Sequence, residues 1–129
     1  MVSFTFKKEE RLKSRKLIGQ LFKEGHSFSS FPLRLVWIKT EVPAEKFPVQ
    51  MALTVPKRAF AKAAHRNVLR RRIREAYRLH KHSLYEKMGE QEHLYALMFI
   101  YVAKESMDYH SIEKAMVKGI QRLLKNIHN

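Results

Sequence analysis

Ten basic side chains fall between residues 57 and 81: Lys57, Arg58, Lys62, Arg66, Arg70, Arg71, Arg72, Arg74, Arg78 and Lys81, against the single acid Glu75. From about residue 65 to 80 the apolar positions recur at helical spacing. Turning each residue by ~100° puts Arg66, Asn67, Arg70, Arg71, Arg74, Arg78 and Lys81 on one half and Leu69, Ile73, Ala76, Tyr77 and Leu79 on the other. Solvated helix faces usually interleave both signs, and this one does not. A row of guanidinium forks can grip successive phosphates and steer a polyanion inward, but it reads little base sequence. Arg72 falls among the apolar positions, where its aliphatic stem is expected to lie on the core and its guanidinium to reach water.

Other chemistries lack their residues. The histidines His26, His65, His80, His82, His93, His110 and His128 form no i, i+4 pair and no carboxylate cluster accompanies them, so no metal site is expected. No serine occupies a G-x-S-x-G elbow, and there is no Walker loop or G-x-G-x-x-G. Glu75 has arginines around it that keep it ionised rather than poised as an acid. No catalytic residue is expected in the chain, and no tightly bound cofactor.

The whole composition agrees with a polyanion partner. Lysine and arginine number 26 against 12 acids, a formal charge of +14 on 129 residues, and 45% apolar content is enough for one core. A single domain over residues 1–129 is the expectation, and nucleic acid ranks above an anionic membrane or an acidic protein. A membrane-surface helix would need exposed bulky groups where Leu69, Ile73 and Tyr77 are wanted by a core. Cysteine is absent, which suits a reducing compartment. The N-terminal stretch mixes acids with bases and lacks a signal-peptide core, and the apolar run 94–103 is too short to span a bilayer. A soluble, cytoplasmic protein is expected, with no membrane partner.

The elements that position the basic helix follow from hydrophobic period. Ser14 is a plausible N-cap for a first helix carrying Leu17, Ile18, Leu21 and Phe22, with Gly25 expected to end it in a left-handed conformation. Residues 33–40 read as a strand, with Pro32 suggesting an edge or a first residue, and 47–55 alternate as a half-buried strand. Residues 41–46 form a polar turn. After the basic helix, 81–93 reads as a loop around Gly89, 94–103 as a central strand, and Asp108 caps a last helix. That helix has an apolar stripe and a second basic face through Lys114, Lys118, Arg122 and Lys125. The order αββαβα fits a small α/β sandwich, one mixed sheet packed on helices.

The stretch Arg66-Asn67-Val68-Leu69-Arg70-Arg71-Arg72-Ile73-Arg74-Glu75 resembles the R-N-x-x-K-R-x-x-R-E signature, the RNR motif, of the bacterial ribonuclease P protein component. Residues 11–25, 52–58, 103–104 and 108–110 are similar to that family's first helix, second strand with its basic pair, last strand and final helix start. The resemblance implies an α/β sandwich in which the basic helix lies in a left-handed crossover, against the general rule for parallel strands. It implies that the RNR region, with Lys57, Arg58, Lys62, Arg66, Asn67, Arg70, Arg71 and Arg74, binds a catalytic RNA. It also implies that a cleft between the first helix and the open sheet face holds the 5′ leader of precursor tRNA.

An unpaired leader needs stacking platforms beside polar groups and positive charge. Phe22, Ile18, Arg34, Val36, Thr54 and Lys104 are the matching positions, with ordinary core packing the competing reading of Phe22 and Val36. Ile18 and Val36 stand where the family commonly carries aromatics, so stacking is either weaker or shifted to Trp37 or Tyr101. The linker before the basic helix lacks the family's glycine and is longer by about one residue, and Val68 and Arg72 replace residues that are often arginine and leucine.

The implied function is the protein subunit of ribonuclease P, acting with catalytic RNA and precursor tRNA in removal of the leader, with Mg2+ serving the RNA-catalysed reaction and no DNA partner. The alternative is a ribosomal or ribosome-assembly RNA-binding protein, which the same composition would serve. A nuclease acting alone is disfavoured, because two-metal cleavage requires acidic ligands.

Overall fold

The computed structural model describes residues 5–128; residues 1–4, part of the stretch read as lacking a signal-peptide core, and residue 129 lie outside it. A 3-10 turn at Lys8–Glu10 leads into α1 (Arg15–Glu24), β1 (His26–Ser30), β2 (Leu33–Pro43), β3 (Val49–Thr54), α2 (Ala63–Met88), β4 (His93–Tyr101) and α3 (Tyr109–His128). The strands form one sheet in the order β1-β2-β4-β3, antiparallel except for the parallel pair β3 and β4, which α2 connects. The expected α/β sandwich with a mixed sheet is therefore present, with one strand more than the expected order. β1 is short and serine-rich, and Phe28 is its buried apolar residue, so it carries no periodicity to read. Its pairing makes β2 an interior strand, and Pro32 falls in the turn before it.

Each face of the sheet has its own core. Leu33, Leu35, Met51, Leu97, Phe99 and Tyr101 pack under α2 and α3, while Val36, Ile38, Leu94, Ala96 and Met98 pack under Leu17 and Leu21 of α1. β4 is buried on both faces, as its unbroken apolar run predicts.

Helix ends explain two departures from expectation. Ser14 Oγ accepts from Leu17 N at 3.2 Å, as an N-cap should. Gly25, however, is extended (φ −69°) rather than left-handed. Its lack of a side chain matters for room: a Cβ there would collide with the Leu21 carbonyl and lie 2.8 Å from Val36 Cγ1. The loop expected over 81–93 is mostly helix, because α2 runs on to Met88 and Gly89 (φ 68°) ends it. Lys81, Leu84 and Met88 continue the buried stripe of Ile73 and Tyr77, and a lysine within that stripe disguises it in the sequence.

Candidate nucleic-acid interface

The basic half of α2 divides by what its arginines touch. Arg70, Arg71 and Arg74 are exposed and, among the described residues, make no hydrogen bond or ion pair. Arg66 is half-buried, and its Nη1 donates to the carbonyls of Phe60 and Ala61, both at 2.8 Å, which fixes the longer linker onto the helix. Arg78 pairs with Glu75 one turn back. Their hydrogen bond holds the Glu75 carboxyl below its ordinary value, so this acid stays ionised as expected. Arg72 does not simply reach water: its Nη1 donates to Met107 O at 2.6 Å and Ser106 Oγ at 3.3 Å, tying α2 to the loop before α3.

Lys81 is removed from the basic face altogether. Its side chain is enclosed beside the fully buried Glu10, donates to Glu10 Oε1 and the Thr5 carbonyl, and lies near the rings of Phe6 and Tyr85. Tyr85 OH also donates to Glu10 Oε1, at 2.8 Å. The pair fastens the N-terminal segment to α2. Exposed Asn67, Lys57, Arg58 and Lys62 complete the surface: Lys57 and Arg58 lie in the turn after β3, and Lys62 caps the start of α2. The first turn of α2 contains no acid, so the positive end of its dipole adds to this field.

The opposite face of the sheet carries the other set. Arg34 pairs in register with Ile100 and Thr54 with Ile100, so Arg34, Ile100 and Thr54 form one row across β2, β4 and β3, with Ser29 of β1 beside Arg34. The next row is Ser27, Val36, Met98 and Ala52, under α1. Arg34 Nη2 donates to Ser27 Oγ at 2.9 Å, which holds the guanidinium over this face. Ile18 and Phe22 occupy one flank of α1; the other flank, with Lys16, Gln20 and Lys23, borders a groove of about 950 Å³ at the Leu94 end of β4. The Ile18 and Phe22 flank therefore looks toward the Ile100 end, where the row is open.

Burial separates the two residues for which core packing competed. Phe22 is 58% exposed and Val36 only 7%, so Phe22 is free to stack while Val36 forms floor beneath α1. Trp37 and Tyr101 belong to the other face: Trp37 packs beside Tyr95, and fully buried Tyr101 donates its hydroxyl to the Glu105 carbonyl at 2.6 Å. Neither can replace an aromatic in the α1 cleft. Lys104 is exposed in the loop after β4. Because β3 and β4 are parallel, Lys104 and the Lys57-Arg58 pair leave the sheet at the same end, beyond the Thr54 and Ile100 row. Ile100, Ser27 and Ser29 were not expected in this set; only strand register reveals them.

The large groove on the far flank of α1 is a poor counterpart, since Glu9, Glu24, Glu41 and Glu45 line it beside its lysines. Among the described residues no three His, Asp or Glu side chains gather as metal ligands, and no helix is long and apolar enough to cross a membrane.

A sequence model of the family described as Ribonuclease P matches residues 6–124. The chain belongs to the ribonuclease P protein component family. The ribonuclease P protein component of Porphyromonas gingivalis strain ATCC 33277 is 34% identical over 125 residues, covering 97% of this chain and 90% of that one. That of Chlorobaculum tepidum is 29% identical, covering 92% of this chain and 79% of its own. The fold agrees: the ribonuclease P protein from Thermotoga maritima superposes with a TM-score of 0.66 at 22% identity, covering 88% and 96% of the two chains. The Staphylococcus aureus protein gives 0.63 at 20% identity, covering 90% and 95%. This chain is thus a subunit of the ribonuclease P complex with an RNA partner, and the ribosomal alternative is left without support.

Proposed function

We propose that the two faces hold two different RNAs at once. The α2 surface, through Arg70, Arg71 and Arg74 with Lys57, Arg58, Lys62, Asn67 and the outer nitrogens of Arg66, binds the catalytic RNA of the complex. The α1 cleft, through Phe22, Ile18, Arg34, Thr54 and Lys104 over the Val36 floor, binds the 5′ leader of precursor tRNA. The observation that carries this reading is that exposed Arg70, Arg71 and Arg74 on α2 have no partner among the described residues, with the whole sheet between them and exposed Phe22. Forked donors without partners among the described residues are free for phosphates, and an exposed aromatic on the same side of the sheet as a guanidinium suits an unpaired strand.

Catalysis belongs to the RNA in this reading, and the chain supplies positive charge and substrate positioning. Mg2+ serves the RNA-catalysed cleavage, and the protein lowers repulsion between leader and catalytic RNA. The complex should then need less magnesium than the RNA alone. This reading assigns the protein to the cytoplasm. The test is cleavage of precursor tRNA by the protein, by the catalytic RNA and by both, across a magnesium series. Cleavage by RNA that the protein shifts to lower magnesium is expected; cleavage by the protein alone, or an unchanged magnesium requirement, would overturn it.

A further inference from the structure

We infer that the groove between α3 and the edge strand β1 is a second single-strand RNA site, which takes the part of a long leader that extends beyond the α1 cleft. This rests on the leader reading above. Lys114, Lys118 and Arg122 recur every four residues along α3, all exposed, so they form a cationic row about 12 Å long. A groove of about 470 Å³ runs beside this row, and no Asp or Glu lines it among the described residues. Arg122 is held in place by the Phe28 ring, 4.7 Å from its guanidinium carbon, and by a 3.4 Å bond to the Ser29 carbonyl. Phe31, which also lines the groove, is 66% exposed. An exposed aromatic beside a row of cations is what a strand with unpaired bases uses, through stacking and phosphate contact together.

Continuity with the cleft selects the leader as occupant. Ser29 lines the groove and also, through its pairing with Arg34, begins the row that crosses the open face to Ile100 and Thr54. A strand leaving the cleft crosses β1, roughly one inter-strand spacing of ~5 Å, and then rounds the edge of the sheet to meet α3 on its other face. The catalytic-RNA surface is less direct. α3 packs on β1, β2 and α2, while α2 also packs on β3; α2 meets the groove's rim where Arg72 donates to Met107 O, and the body of α3 separates the rest of α2 from it.

The test uses the full chain assembled with catalytic RNA, and precursors whose leaders lengthen one nucleotide at a time from none. Wild-type affinity should rise as the cleft fills and rise again with further extension. Lys114→Gln with Lys118→Gln, and separately Phe31→Ala, should leave short-leader affinity and the melting temperature unchanged. Both should remove the second rise, with about a tenfold loss for Phe31→Ala on long leaders. The lysine pair should also lower the long-leader salt slope by about 0.7 per lysine. A wild type that gains from short leaders but not from extension would overturn this inference and leave the cleft standing. No gain from any leader would overturn both. Losses equal at every leader length, the leaderless precursor included, would assign the groove to the catalytic RNA and overturn it.

Discussion

Lys81 and Glu10 meet out of reach of water, so truncating either one strands a charge among aromatic rings. Lys81→Ala or Glu10→Ala should cost ~3–5 kcal/mol in denaturant unfolding, whereas exposed Arg70→Ala should stay within about 0.5 kcal/mol. Equal small effects would place Lys81 back on the RNA face. Gly25→Ala should cost about 1–3 kcal/mol, since the added methyl must push Val36 and the end of α1 apart. A pH effect belongs to Glu113, whose carboxyl the His80 ring, 2.9 Å away, holds below the ordinary 4.5. Depression of a folded-state carboxyl stabilises the protein fully above that ordinary value and is lost as pH falls through the lower folded value. The melting-temperature gap between the wild type and Glu113→Gln should therefore be present just above about pH 4.5 and close as the pH falls below it; a gap that widened in acid would contradict the assignment. The Lys81–Glu10 and His80–Glu113 contacts could not be read from the sequence, because each joins residues far apart in the chain.

Along α2, the sequence shows a basic and an apolar half but not which arginines are occupied. Arg70→Ala, Arg71→Ala and Arg74→Ala should each lower the salt slope of RNA binding by roughly one unit without changing stability. Arg66→Ala and Arg72→Ala should also destabilise the fold by about 1–3 kcal/mol, because carbonyls of the linker and the pre-α3 loop lose charged donors. Calorimetry beside a salt titration separates the two groups, and uniform effects across all five would refute the division. The helix itself was legible where Leu69, Ile73, Ala76 and Tyr77 keep its period. Its last turns were not, since Lys81 occupies a core position only because Glu10 waits opposite. β1 escaped for another reason: a short strand with a single buried side chain exists by pairing with β2, and pairing leaves no local pattern.

At the scale of the molecule, the sheet is a partition with α2 and α3 on one side and α1 on the other. Hydrophobic period assigned residues to elements, but only strand order and register bring Arg34, Ile100 and Thr54 into one row, and only burial separates Phe22 from Val36. A partition of this kind makes the two RNA surfaces separable by mutation. Binding of leader-bearing and leaderless precursor to the assembled complex, measured alongside assembly with catalytic RNA, tests this most directly. Phe22→Ala should weaken leader-bearing precursor by about tenfold while leaving leaderless precursor, assembly and the melting temperature unchanged. Arg70→Ala with Arg71→Ala should impair assembly and spare the ratio between the two precursors. A Phe22→Ala protein that keeps its stability and its preference for the leader, or arginine variants that alter that preference instead of assembly, would contradict the two-face account.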